Sequence, residues 1–357
     1  MLRSALIALW LLSSAGCSVF KPLRLEPIAT SVQKPSNVAV YVAATERGKP
    51  LTTLQPENFR IYENGQLLRG EDAAIRVLPQ ELAVYQHTLL LVDVSGEPGS
   101  LEPLARAVAG FVESVQRTQP VSVVAFDGRA GLHPVAEFPK SAQALPADLR
   151  GLATLGQRDG SRNLNGALRS ALEQLDARLA RQAKPLKIGT LVVFTRGPDL
   201  AGRVSRAQAD AALSETQHSV LAVGIAGQAE STLAELGKDG IVKAQDAGSL
   251  GIAFEEAARV ARDLYEKHYL IAYCSPGRAG MRRLEVEVRY RDREGDESVA
   301  SFSKDFDATG FGPGCRSDSP PRFVGPGSPS ELDAAPAARP AEDERVVPPP
   351  ANAGYAP

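Results

Sequence analysis

The sequence predicts an α/β protein: a doubly wound sheet with helices on both faces, joined to a small β-sandwich-like domain built from the flanking strands. Three observations carry this. Residues 87–275 alternate short apolar runs with stretches of helical spacing. Residues 37–80 and 283–306 alternate apolar and polar positions around turn signals. The composition, 43% hydrophobic and 23% charged over 357 residues, is ordinary for a globular chain with room for two domains.

The elements follow in order. Residues 1–16 read as a secretory signal, with Arg3 ahead of an apolar run from Ala5 to Leu12 that is too short to span a bilayer. Ser14-Ala15-Gly16-Cys17 resembles the lipobox of bacterial lipoproteins, although Ser14 stands where leucine is usual. The resemblance implies a diacylglyceryl group on the Cys17 sulfur, and Ser18 after it favours the outer membrane of a Gram-negative cell envelope. Plain secretion with a free Cys17 is the alternative. Residues 17–34 read as a lipidated linker and 35–86 as the first half of the β-domain. In that half "NVAVYVAAT" alternates, and Asn64-Gly65 in "NFRIYENGQLL" is a strong two-residue hairpin signal.

Residues 87–275 form the doubly wound part. "HTLLLVDVS" and "IGTLVVFTRG" are apolar throughout, as strands covered on both faces are. "EPLARAVAGFVESVQ" and "NLNGALRSALEQLDARLARQ" have amphipathic helical spacing, and "PVSVVAFDG" with "LHPVAEF" reads as an edge hairpin. The reading places "YLIAYC" at the end of this part. Residues 276–310 hold a hairpin that completes the β-domain, turning at Arg293-Glu294-Gly295-Asp296. Residues 311–357 carry 11 of the 26 prolines, many alanines and few large apolar residues, and read as a disordered tail. Cys274 and Cys315 either form a disulfide, in an oxidising compartment, or remain two thiols; the disulfide is the favoured reading.

The middle block resembles a von Willebrand factor type A domain. The resemblance covers about 190 residues and rests on "LLLVDVSGE", "VVAFDG", "GSRNLNGAL", "LVVFTRG" and "VLAVGIAG". It implies a metal-ion-dependent adhesion site built from five residues on three loops at the carboxyl ends of the strands. Asp93 and Ser95 match the first two; Glu97 stands where a second serine is expected, Arg162 where a threonine is, and Arg196 where an aspartate is. A divalent cation needs hard oxygen donors, whereas a guanidinium offers only N–H donors and a permanent charge. The sequence therefore predicts no metal at this rim, and a salt-bridge cluster of Asp93, Glu97, Arg162 and Arg196 in its place; arginines pointing to solvent beside a decayed site are the alternative.

Function follows from what is present and what is lacking. A net charge of -2 gives no reason to expect nucleic acid as partner. Three cysteines and four histidines lack metal-ligand spacing, and no phosphate-binding or dinucleotide fingerprint occurs, so no cofactor is expected. Ser95 after a strand suggests a hydrolase nucleophile, but the Gly-x-Ser-x-Gly elbow is absent. The expectation is a non-enzymatic protein that is tied to the membrane by its N-terminal lipid. It would bind an unidentified envelope or surface protein through Asp93, Ser95, Glu97, Arg162 and Arg196. A structural subunit of an envelope complex and a Ser95-dependent hydrolase are the alternatives.

Overall fold

The computed structural model describes residues 23–95, 101–141, 149–155 and 161–323. Its centre is a six-stranded sheet of β7 (Val84–Asp93), β8 (Val121–Phe126), β9 (His133–Phe138), β10 (Leu186–Thr195), β11 (Ser219–Ile225) and β12 (Gly240–Ala244), in the order β12-β11-β10-β7-β8-β9. All pairs are parallel except the edge pair β8–β9. Alternate residues of the buried strands feed opposite faces, as the pleat requires. Leu90, Val92, Phe194 and Val223 pack under α1 (Leu101–Val115) and α6 (Leu250–Glu266). Leu89, Leu91, Val193 and Ala222 pack under α3 (Leu164–Ala180), α4 (Arg206–Glu215) and α5 (Glu230–Leu236). The short α2 (Arg150–Leu155) lies on the α1 side. The fold class is the expected one.

Two further sheets make the β-domain. One is β1 (Leu23–Gln33), β2 (Asn37–Glu46), β13 (His268–Cys274) and β6 (Arg76–Leu78), with β3 (Lys49–Pro50) paired to β2. The other is β15 (Glu297–Asp307), β14 (Met281–Arg291), β4 (Phe59–Glu63) and β5 (Gln66–Leu67). Their facing residues share one core that includes Val40, Val42, Ile61, Ile271, Leu284 and Val286. The two sequence blocks thus meet, because neither has enough strands to bury a face alone. Asn64 and Gly65 both have positive φ (51° and 78°), as the two-residue β4–β5 turn needs.

Three boundaries differ from the sequence reading. Residues 23–33, read as linker, are the edge strand β1, paired with β2 over its length with a bulge between Pro27 and Ala29. "YLIAYC", assigned to the doubly wound part, is β13 in the β-domain, antiparallel to β2 and β6. It is apolar throughout because both its faces are covered, one by the sandwich core and one by a cluster of Tyr41, Leu78, Val84, Leu270 and Phe323. Residues 311–323, read as the start of a disordered tail, fold back on the β-domain. Cys315 is bonded to Cys274 with Cα atoms 5.8 Å apart. Asn37 Nδ2 donates to Arg316 O at 2.6 Å and Ser31 Oγ to Arg322 O at 2.8 Å, while Phe311 and Phe323 are buried. The signal segment, Cys17 and the tail beyond residue 323 lie outside the described residues.

Candidate functional site

The carboxyl ends of β7, β8 and β10 form a rim, and the loops after them bring together residues far apart in sequence. Asp93 ends β7 with no exposed surface. A buried carboxylate must have its charge countered and its lone pairs filled, and Asp93 has both. Its Oδ1 accepts from Ser95 N at 2.9 Å and Ser95 Oγ at 2.6 Å. Its Oδ2 accepts from Arg162 Nε at 2.6 Å and Arg196 N at 2.9 Å, with Thr195 Oγ1 at 3.3 Å. The Arg162 side chain is only 13% exposed, and its Nη1 donates to Pro198 O at 3.0 Å. One guanidinium therefore ties the β7 loop to the loop after β10.

Arg196 reaches Asp93 through its backbone N–H, while its guanidinium lies 5.9 Å from the Phe194 ring centroid. Burial pushes the Arg196 guanidinium below its ordinary range; Asp93 works against that, and the like charge of Arg162 adds to it. The structure thus brings Asp93, Ser95, Arg162 and Arg196 together. Glu97 lies outside the described residues.

Around this centre stands a second layer that the sequence reading did not assign. Asp127, read as a turn residue, does accept from Arg129 N two positions on, at 2.9 Å, but it also pairs with Arg129 Nε at 3.0 Å and lies 3.3 Å from His133 Nε2. Burial alone would raise its pKa; those donors outweigh burial and hold the carboxyl below its ordinary range. Asn163, just before α3, donates through Nδ2 to Arg129 O, and its backbone N–H donates to Asp127 O. Asp199 takes Asn165 N and Gly202 N. A helix-opening Asn and an Asx-forming Asp are legible signals; that they brace one another across two loops is not. Beside the rim a cleft of about 320 Å³ is lined by Leu164, Pro198 and Leu213 together with Asp199, Arg206 and Asp210, and Leu200 next to it is 62% exposed.

Resemblance to the type A domains implies a divalent cation here, and the residues present do not fit one. Both oxygens of Asp93 already face N–H and O–H donors, and a guanidinium nitrogen lies 2.6 Å from the oxygen a cation would need. A cation bound to that oxygen at about 2.0–2.6 Å would meet the Arg162 charge at contact range. For hydrolysis, Ser95 Oγ is engaged with Asp93, and the four histidines contact other groups. A Ser–His contact of 2.7 Å does occur between Ser122 and His87, but at the amino end of the sheet, with both residues 1% exposed and out of reach of a substrate.

No family model matches the chain, and no curated protein matches it. Solved structures do. Proximal thread matrix protein 1 from the mussel byssus is 17% identical with a TM-score of 0.40, covering 50% of this chain and 48% of its own, so the chain spans about half the length of that protein. A von Willebrand factor type A protein from Catenulispora acidiphila is 12% identical with a TM-score of 0.40, over 80% of this chain and 72% of its own. The manganese-loaded TRAP protein of Plasmodium vivax is 12% identical with a TM-score of 0.39, over 66% and 97%. At these values the likenesses concern overall shape and bear on no residue of the rim.

Proposed function

We propose that this is a non-enzymatic cell-envelope protein, anchored by lipid at Cys17, that binds a protein partner through its rim without a metal ion, the rim being a degenerate metal-ion-dependent adhesion site. The observation that carries the reading is the Arg162–Asp93 pair: a side chain supplies, inside the fold, the positive charge that a cation would otherwise bring to Asp93. The rim is thereby preorganised for contact, with the exposed Leu200 and a cleft of mixed apolar and charged lining beside the arginines. An exposed apolar residue at the edge of a charged loop cluster suits a protein surface better than a small substrate.

Titration calorimetry with magnesium and manganese tests the site. The natural protein is expected to bind neither at the rim, and the combined variant Glu97→Ser, Arg162→Thr and Arg196→Asp to gain affinity there. Micromolar binding by the natural protein at this rim refutes the reading. In-cell crosslinking from position 200 is expected to capture the partner, with a yield that falls at high salt and is indifferent to chelator, because salt screens exposed charge over about 8–10 Å. Capture abolished by chelator refutes metal-free binding. Cys17→Ser is expected to release the protein from the membrane fraction, and unchanged fractionation refutes the anchor.

A further inference from the structure

Chain length and topology together orient the molecule. β1 begins at Leu23, six residues after Cys17. Six extended residues reach at most about 20 Å, so a lipid on Cys17 would hold Leu23 close to the bilayer. Leu23 pairs with Glu46, where β2 turns through Arg47 and Gly48 into β3. The same place holds the end of α6, since Ala44 N donates to Lys267 O, and the β14–β15 hairpin tip, since Arg47 pairs with Asp292 at 3.7 Å. These groups form one pole of the molecule.

The rim is at the other pole. α6 starts after β12 on the rim side and runs 17 residues, about 25 Å, before its end reaches Lys267. β7 runs ten residues, about 33 Å, from Val84, which packs against the β-domain, to Asp93.

We infer that the pole formed by the β2–β3 and β14–β15 turns is the face that meets the phospholipid headgroups, and that the rim is carried on the end directed away from the bilayer holding the protein's own lipid. The inference rests on the reading that Cys17 is acylated. The surface chemistry of the pole agrees with it. Arg47, Lys49 and Arg293 are exposed at these turns, together with a carboxylate cluster of Asp292, which Arg47 pairs with, Glu294 and Asp296. Such a pole offers cations to headgroup phosphates and carboxylates to headgroup amines. The exposed large apolar side chains among the described residues lie outside these two turns, so the contact is with headgroups and not with acyl chains. A partner would then be met from outside the membrane plane, not alongside the anchor.

Tryptophan reporters test this. Trp10 is the single tryptophan of the chain and precedes Cys17, so the acylated protein has none. Lys49→Trp and Leu200→Trp, made separately in the full chain, would be isolated from bacterial membranes. Each would then be placed in vesicles of phosphatidylethanolamine and phosphatidylglycerol whose headgroups carry a nitroxide quencher. The Lys49→Trp protein is expected to lose most of its fluorescence, and the Leu200→Trp protein almost none. Equal quenching, quenching of Leu200→Trp alone, or no quenching of either in vesicle-bound protein overturns the orientation and leaves the anchor standing. Protein that does not float with vesicles and shows no acyl mass on Cys17 overturns the anchor and the orientation together.

Discussion

The two ends of the six-stranded sheet bury polar groups in opposite ways. At the carboxyl end the chain keeps a full charge with no solvent access and balances it: Asp93 lies within 2.6 Å of Arg162 Nε and takes the N–H groups of Ser95 and Arg196. At the amino end it buries Gln86, His87, Thr88, Ser122 and Thr190, none charged. His87 Nε2 lies 2.7 Å from Ser122 Oγ, and Gln86 Nε2 donates to Thr190 Oγ1 at 3.1 Å. Burial, helped by the positive charge of Arg178, pushes the His87 imidazole down to about 3, so it is neutral at pH 7. The difference lies in reach. Neutral groups tolerate incomplete pairing with the neighbouring strand, Gln86 Oε1 and Thr88 Oγ1 being buried with no hydrogen-bond partner, whereas a buried carboxylate needs a countercharge, which here comes from a loop 69 residues away.

The sharpest way to break this contrast is to remove the countercharge. Arg162→Ala is expected to cost about 3 kcal/mol, the lower end of the range for a broken buried pair, because four other donors remain on Asp93. Adding Asp93→Asn is expected to recover part of that loss, since it removes the uncompensated charge. Urea unfolding midpoints of the two variants measure both effects, and an unchanged midpoint for Arg162→Ala would show that Asp93 needs no counterion.

The amino end responds to acid instead. A histidine depressed in the folded state binds its proton more readily when unfolded, so its contribution is complete above the unfolded value near 6.5 and is lost as pH falls toward about 3. His268, pushed down to about 4 mainly by burial, acts in the same direction. Stability is expected to fall by roughly 2–4 kcal/mol through His87 across that window. A His87→Gln variant, unfolded at a series of pH values, is expected to show a shallower slope; an identical slope would remove His87 from the account.

A smaller effect tests the packing under the rim. A Cβ added at Gly166 would stand 2.6 Å from the Asn163 side-chain amide, which is itself buried. Gly166→Ala is expected to cost about 1–3 kcal/mol through overpacking, against the gain in helix propensity an open site would show. Thermal melts decide the sign. Smallest of all, Arg206→Ala removes pairs to Asp210 and Glu235 in which all partners are about half exposed, and is expected to change stability by at most about 1 kcal/mol.

Most of the fold was legible because its strands and helices are periodic and strongly patterned. β7 and β10 read as buried strands, and α1 and α3 as amphipathic helices, from residues that then pack as the pattern requires. β1 was not legible: "LRLEPIATSVQ" is an edge strand with no regular alternation of buried and exposed residues and is interrupted by a bulge, so nothing in its local pattern separates it from linker. β13 was visible as a strand but not as a member of the right sheet, since burial on both faces erases the alternation that marks a sandwich strand. Residues 311–323 were hidden by their proline and glycine content; two buried phenylalanines and a covalent bond to Cys274 outweigh that composition.

At the rim, Asp93, Ser95, Arg162 and Arg196 were picked out by the resemblance to the type A domains; Asp93 and Arg196 lie where the apolar runs of β7 and β10 end, and Arg162 lies just before α3. The resemblance also put Glu97 and two cations, Arg162 and Arg196, beside Asp93. Which of them pairs with it did not follow. Tertiary structure decided that Arg162 gives Asp93 its side chain and Arg196 its backbone N–H. Ion-pair geometry within 3 Å depends on the paths of both loops, and no local preference of either segment encodes that path.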